Sequence, residues 1–303
     1  MIRSAVTAIF IALAIQVFTV GMLAPRLPRE VCRPGIQTER SFTLNMAPVL
    51  HLVNNDGAVR INTQEDLKDV RVTARIRAYT DNAEAQDMAL NYINTLFHIE
   101  ETSEIVTLIT EPGIRPDPID LRVNYMISAP PGMDIAVDVA NGNVWIAEGC
   151  NNISIEGNNS DIEVLRPNGA VNIKTINGRI RALDCMSETT LETVNGSIHA
   201  TLLSGLLQAS TTTGAISATL LDDLVTGCDL TSLNGSITLV MPEQHSARVN
   251  ANTARGVVRT DLPIAVGRGI QKRRLLHGTL GTGNTAVSMN SMNGDIWIQR
   301  SAT

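Results

Sequence analysis

Large aromatic rings are scarce in this sequence. Only 3% of its 303 residues are Phe, Tyr or Trp, although 44% are apolar, which is ample for a sizeable core. A core built from Ile, Val, Leu and Ala without large rings calls for thin, regular layers. Cysteine is sparse too. Cys32, Cys150, Cys185 and Cys228 are too scattered for a disulfide scaffold, and none stands in the paired spacing of a zinc site. The five histidines, His51, His98, His199, His245 and His277, share no short metal-type spacing with a cysteine or carboxylate. Excess positive charge is also missing: the formal net charge is −6, which argues against a nucleic-acid partner. The one dense basic run, "GRGIQKRR" with Arg268, Lys272, Arg273 and Arg274, reads as a solvated loop, with a phosphate or anionic-lipid site as the sharper alternative. The run "GTLGTGN", Gly278 to Asn284, lacks the Lys and Ser or Thr that close a phosphate-binding loop, and reads as a turn. No cofactor, metal site or catalytic residue is expected.

Charge is absent altogether from Ser4 to Pro25, a stretch long enough to cross a bilayer as a helix. Residues 1–25 therefore read as a membrane anchor or signal sequence, followed by a linker over 26–40. Met22 stands where a small residue would favour cleavage after Ala24, which supports an uncleaved anchor. A body on the periplasmic or extracellular face is the favoured reading. Arg26, Arg29, Arg33 and Arg40 follow the stretch and, read by the positive-inside rule, point instead to a cytoplasmic body.

What is abundant is repetition. Corner residues Gly142, Ser160, Gly178, Gly196 and Gly214 recur at a constant spacing; Gly235, Gly256 and Gly294 follow at longer steps, and Gly57 stands far upstream. Two residues after each corner come Val59, Val144, Ile162, Ile180, Ile198, Ile216, Ile237, Val258 and Ile296. Five residues before come Leu52, Val137, Ile155, Ile173, Leu191, Ala209, Leu230, Ala251 and Met289. Both flanks alternate apolar and polar, so each is a strand with one buried face. Asn precedes most corners, and Asn-Gly tolerates the positive φ of a tight turn. Gly149, Asn168-Gly169 and Ser204-Gly205 mark a second corner.

Two short strands and two corners per unit fit a parallel β-solenoid of about nine coils, occupying 41–303 as one domain. Asn-Gly between alternating strands is also the strongest hairpin signal, so an antiparallel meander is the competing arrangement. Stacking at about 4.8 Å predicts vertical neighbours one period apart. Glu163 then sits beside Arg181 and His199, Asp161 beside Arg179, and Lys174 between Glu156 and Glu192, while the Asn column forms an amide ladder. Cys150 and Cys185 fall too far apart to be bridged.

The period lapses over 65–131. "DVRVTARIRAY" reads as a strand; "DNAEAQDMALNYINTLF" reads as a helix capped by Asp81, with Met88, Ala89, Tyr92, Ile93 and Leu96 on its apolar face; "SEIVTLIT" returns to strand. This insertion is expected to cap the first coils or pack on their side.

The order "APVLHLVNNDGAVRI", a helix, "ISAPPGMDIAVDVANGNVWI", a run of Asn-Gly units and "GTGNTAVSMNSMNGDIWIQ" resembles the bacterial putative-adhesin family of β-strand-repeat proteins, a toast-rack-like domain of unknown function. The resemblance covers roughly Ser41 to Arg300. It implies a β-solenoid in an envelope protein, often membrane-anchored, and carries no catalytic residue to transfer.

Candidate binding residues point outward. Trp145 and Trp297 alternate out of phase with the buried isoleucines and lie toward opposite ends of the main array, where they could stack on a sugar or anchor a protein. Otherwise the helical segment covers Trp145, and the chain end or another subunit covers Trp297. Glu163, Arg181 and His199 complete the candidate surface. The sequence therefore reads as a non-enzymatic, membrane-anchored envelope protein using its solenoid surface for adhesion or binding. Two alternatives stay open: a glycan-active β-helix enzyme using Asp161, Glu163, Asp184, Glu188 or Glu192, and a cytoplasm-facing regulatory or stress-sensing membrane protein.

Overall fold

A computed structural model describes residues 35–80, 83–111, 117, 119–222, 224–266 and 271–301. The segment 1–25, Cys32, the capping Asp81 and Arg268 lie outside the described residues. Among the described residues the fold is all-β, with two sheets of 13 and 12 strands and one α-helix, Ala83–Ile93. That helix is the only one described, and no described helix is long and apolar enough to cross a membrane.

The Asn-Gly corner decides the architecture. A hairpin would pair the two strands flanking a corner with each other. Instead the strand entering each corner belongs to the 13-stranded sheet (the entry sheet) and the strand leaving it to the 12-stranded sheet (the exit sheet). Each pairs in parallel with the equivalent strand of the neighbouring unit. Ile162 lies beside Ile180 and Ile180 beside Ile198, and all three are buried. Successive turns of chain are therefore stacked coils, and the two apolar columns face each other as the core between the sheets.

Glycine is required at the corner for two reasons: Gly57, Gly142, Gly178 and Gly214 hold positive φ, and the neighbouring coil leaves no space for a Cβ. A Cβ on Gly196 would fall 1.8 Å from the Gly178 carbonyl oxygen, and one on Gly214 would fall 1.9 Å from that of Gly196. At these glycines coils meet backbone to backbone, with no room for a side chain, and Ser160 is the one corner that carries one. The corner asparagines, unlike those four glycines, are absent from the positive-φ residues. Their function is the ladder: Asn159 Nδ2 donates to Asn141 Oδ1 (2.7 Å), Asn177 to Asn159 (3.0 Å) and Asn195 to Asn177 (3.0 Å). The chain of amides ends where Asn141 donates to the Asp56 carboxylate at 2.9 Å. A carboxylate only accepts, so Asp56 fixes the direction in which every amide above it points.

A column of hydroxyls, three residues before each corner from Gly178 onward, escaped the sequence reading. Thr193 Oγ1 donates to the Gly178 carbonyl (3.2 Å), Thr211 to Gly196 (3.0 Å), Ser232 to Gly214 (3.1 Å), Ser291 to Gly235 (3.0 Å) and Thr253 to Gly294 (2.8 Å). These hydroxyls are buried, and each meets its hydrogen-bonding need on the coil beneath, which keeps an otherwise costly polar row inside the protein.

Coil order departs from chain order at both ends. The unit of Gly294 lies between those of Gly235 and Gly256, since Val287 pairs with both Cys228 and Val249. At the other end, Ile105–Thr110 and Asp120–Ala129 form a further turn that lacks the corner motif and stacks outside the Gly57 unit. The Gly57 unit in turn contacts the Gly142 unit directly.

Val70–Tyr79 extends the exit sheet antiparallel to Asp120–Ala129, Gly35–Leu44 adds antiparallel to Val70–Tyr79, and Phe97–Glu101 extends the entry sheet. Strand pairing thus begins at Gly35, ahead of the expected boundary at Ser41. The helix joins the two extended sheets and closes the end of the core with Ala89 and Ile93, followed by Leu96; Met88, expected on the same face, is exposed. The ring contacts concentrate at this cap, where Phe97 meets Phe42 and Tyr125 edge to face at 5.1 and 6.4 Å. At the far end, Leu275–Leu280 runs antiparallel to Ala247–Thr253, so the first residues of the glycine-rich run are strand, and the turn is confined to Gly281 and Gly283.

Candidate outward binding row

Outward positions of the exit sheet are set by the same alternation that buries the isoleucines. Three residues after each corner, parallel pairing aligns Arg60, Trp145, Glu163, Arg181, His199, Ser217, Thr238, Trp297 and Arg259 in one continuous row. All five candidate residues, Trp145, Trp297, Glu163, Arg181 and His199, therefore share a single line. The sequence named them one at a time. The line itself was legible as another column of the repeat, and Arg60 and Arg259 would have come with it.

Trp145 is covered by Arg60 and not by the helix: the guanidinium carbon lies 4.3 Å from the indole centroid. Trp297 stays 43% exposed, flanked by Thr238 and Arg259. Neither tryptophan occupies a terminal coil. They are separated by six strand spacings, about 29 Å at about 4.8 Å each.

Beside Trp145 lies a shallow depression of about 270 Å³ lined by Asn143, Asp161, Glu163, Arg179 and Arg181. Arg181 pairs with Glu163 at 3.8 Å across the ladder. Asp161, expected to pair with the Arg179 side chain, instead accepts the Arg179 backbone N–H at 2.7 Å. His199 is held below its usual pKa first by burial and then by the Arg181 charge. It is therefore neutral at pH 7, with one ring nitrogen donating and one accepting.

Of the carboxylates considered for glycan cleavage, Asp161 and Glu163 line the same depression, and the others lie apart from them. Glu163 projects from the exit sheet, whereas Glu192 projects from the entry sheet and pairs with Lys174 at 3.5 Å. Asp184 sits at a corner, with its carboxylate accepting from the Thr201 hydroxyl at 3.0 Å. Outward groups on two sheets about 10 Å apart cannot flank one glycosidic bond. Cys150, Cys185 and Cys228 are buried and unbridged; burial pushes the Cys150 thiol up to about 12 and Cys185 up to about 11, and raises Cys228 as well. Such thiols are poor nucleophiles at neutral pH. Among the described residues, no group of three His, Cys, Asp or Glu is placed to hold a metal ion.

Three solved structures are similar over most of this chain. A putative adhesin from Bacteroides fragilis aligns at 11% identity over 88% of this chain and 97% of its own, with a TM-score of 0.46. One from Parabacteroides distasonis aligns at 11% identity over 88% and 98%, with a TM-score of 0.41. A putative cell adhesion protein from Clostridium sporogenes aligns at 10% identity over 88% and 100%, with a TM-score of 0.24. No curated protein matches the sequence. With corner glycines packed coil on coil and two parallel sheets enclosing an aliphatic core, the fold agrees with the family model that matches residues 84–299, and the chain belongs to the Toastrack DUF4097 family.

Proposed function

We propose that the protein is a non-enzymatic, adhesin-like binding scaffold of the cell envelope, held to a membrane by the apolar segment Ser4 to Pro25. Its partner, a linear glycan or an extended protein segment, lies along the exit-sheet row. The observation carrying this reading is the single line from Trp145 to Trp297. An indole face stands near each end, and between them charged, imidazole and hydroxyl groups recur once per coil. An extended ligand can meet the same spacing repeatedly without a pocket, and a row of weak contacts sums to useful affinity when the ligand is long enough to span it. Glu163 and Glu192, which stand on different sheets, cannot act together on one glycosidic bond.

The test is binding of the purified protein to an array of envelope glycans and to fractionated envelope proteins, with Trp145→Ala and Trp297→Ala compared against the unaltered chain. Each substitution is expected to weaken binding at least tenfold, with the strand signature in circular dichroism unchanged. A ligand bound equally well by both variants, or turned over by the protein, overturns the reading.

A further inference from the structure

The antiparallel cap of the exit sheet carries a charge arrangement that the binding row does not use. On its outward face Arg77 stands directly opposite Arg122, with Arg75 and Arg71 on the same side of Val70–Tyr79. Arg71, Arg75, Arg77 and Arg122 are all exposed. Like charges set directly across a strand pair oppose folding, so this register is an unusual choice in a chain whose net charge is negative. Glu39 answers Arg75 at 3.0 Å. Among the described residues no carboxylate forms an ion pair with Arg71, Arg77 or Arg122. Gln37 faces Arg77 from the neighbouring strand, Asn124 faces Arg75, and Asp120 lies opposite Tyr79 at the strand end.

This cluster sits where the described chain begins. Gly35 pairs with Tyr79, two residues from Arg77. From Pro25, the last residue of the uncharged stretch, to Gly35 the chain can reach at most about 35 Å, and that interval adds Arg26, Arg29 and Arg33.

We propose that the face bearing Arg77 and Arg122 docks on the anionic headgroups of the bilayer that holds the N-terminal segment. The proposal rests on the membrane-anchored reading above and adds the surface that meets the lipid. Two facts select a bilayer over other partners: the unanswered positive charge, and its place beside the tether to the apolar segment. A charged bilayer surface attracts exposed arginines within about 10 Å at 0.1 M salt, and a tether of at most about 35 Å lets these reach that distance.

The experiment uses the full chain in nanodiscs of phosphatidylcholine alone and of phosphatidylcholine with phosphatidylglycerol. Arginine modification by phenylglyoxal is read residue by residue by mass spectrometry. Arg77 and Arg122 are expected to react at least threefold more slowly in the anionic discs, with the difference lost in 1 M sodium chloride (about a 3 Å screening length), while Arg248 on the entry sheet reacts equally in both. Equal rates at Arg77 and Arg122 overturn the proposal. Equal slowing at Arg248, or the same protection by inorganic phosphate without discs, overturns it too, by assigning the effect to general adsorption or to a free anion. A chain that enters neither disc overturns the anchor reading instead. Sedimentation with anionic and with zwitterionic vesicles then decides the patch, and binding to both or to neither counts against it.

Discussion

Gly157 and Ser160 complement each other in size across one corner. A Cβ built on Gly157 would lie 3.0 Å from the Ser160 Cβ and 3.1 Å from its Oγ. At the corners from Gly178 onward the first position carries Thr or Ser and the second carries Gly, as in Thr193 and Gly196. In this coil the side chain has moved from one position to the other, and the Ser160 hydroxyl is buried with no hydrogen-bond partner.

Gly157→Thr alone is therefore expected to destabilise the protein by about 2 kcal/mol through overpacking, whereas Ser160→Gly alone costs less than about 1 kcal/mol because it also removes an unsatisfied hydroxyl. In the double variant the loss should fall below that of Gly157→Thr alone, a coupling of about 1 kcal/mol. Urea denaturation of the four proteins measures it, and strict additivity would rule out the proposed exchange.

Corner glycines and turn glycines should respond differently. Gly196→Ala forces a methyl group to within 1.8 Å of a carbonyl oxygen, and a loss above about 4 kcal/mol, or failure to fold, is expected. Gly132→Ala, at φ +79 with nothing within 4 Å of the added Cβ, carries only backbone strain, about 1 kcal/mol. Similar melting temperatures for the two variants would show that the coils do not touch at the corner.

Glu156 is held above the ordinary carboxylate range by burial, then by the Asp138 charge, with Lys174 acting in the opposite direction. A raised folded-state pKa means that the native protein binds this proton more tightly than the unfolded chain does. Its contribution to stability is therefore fully present below the unfolded value of about 4.3 and is lost as pH rises through the folded one. Glu156→Gln is expected to be more stable than the parent at pH 7 by a few tenths of a kcal/mol, since the site is partly solvated and screened. The difference should vanish on acidification toward pH 4. Thermal melts across that range check both sign and window.

His199 reports on its own row. Burial and Arg181 both hold its pKa down, so Arg181→Gln should raise the value followed by ring-proton NMR. An unmoved His199 would mean that Arg181 does not face it.

Much of the fold was legible because a constant step turns like residues into vertical neighbours; Ile162, Ile180 and Ile198 could be placed together from spacing alone. The exchanged order of the Gly256 and Gly294 units was not legible, because the length of an insertion does not say which side of a coil the chain returns to. The turn formed by Ile105–Thr110 and Asp120–Ala129 was hidden for another reason: without an Asn-Gly corner it has no marker, although its strands alternate as the others do. The hydroxyl column of Thr193 and Thr211 was visible and went unread, since polar residues facing inward run against the alternation that identified the strands. In the binding row, identities were readable and collinearity was not drawn out, and the stacking of Arg60 on Trp145 required knowing that the Gly57 unit lies next to the Gly142 unit across a long insertion.

The exchanged coils also constrain how such a protein can grow. Because the segment around Ile296 is wedged between the Gly235 and Gly256 units, its strands are paired on both sides. Duplicating a unit at either extremity would break this interleaving. A longer or shorter version must be made in the middle, between Val144 and Val240, where chain order and spatial order agree; a variant gaining or losing one whole period there keeps both closures intact and changes only the reach of the surface.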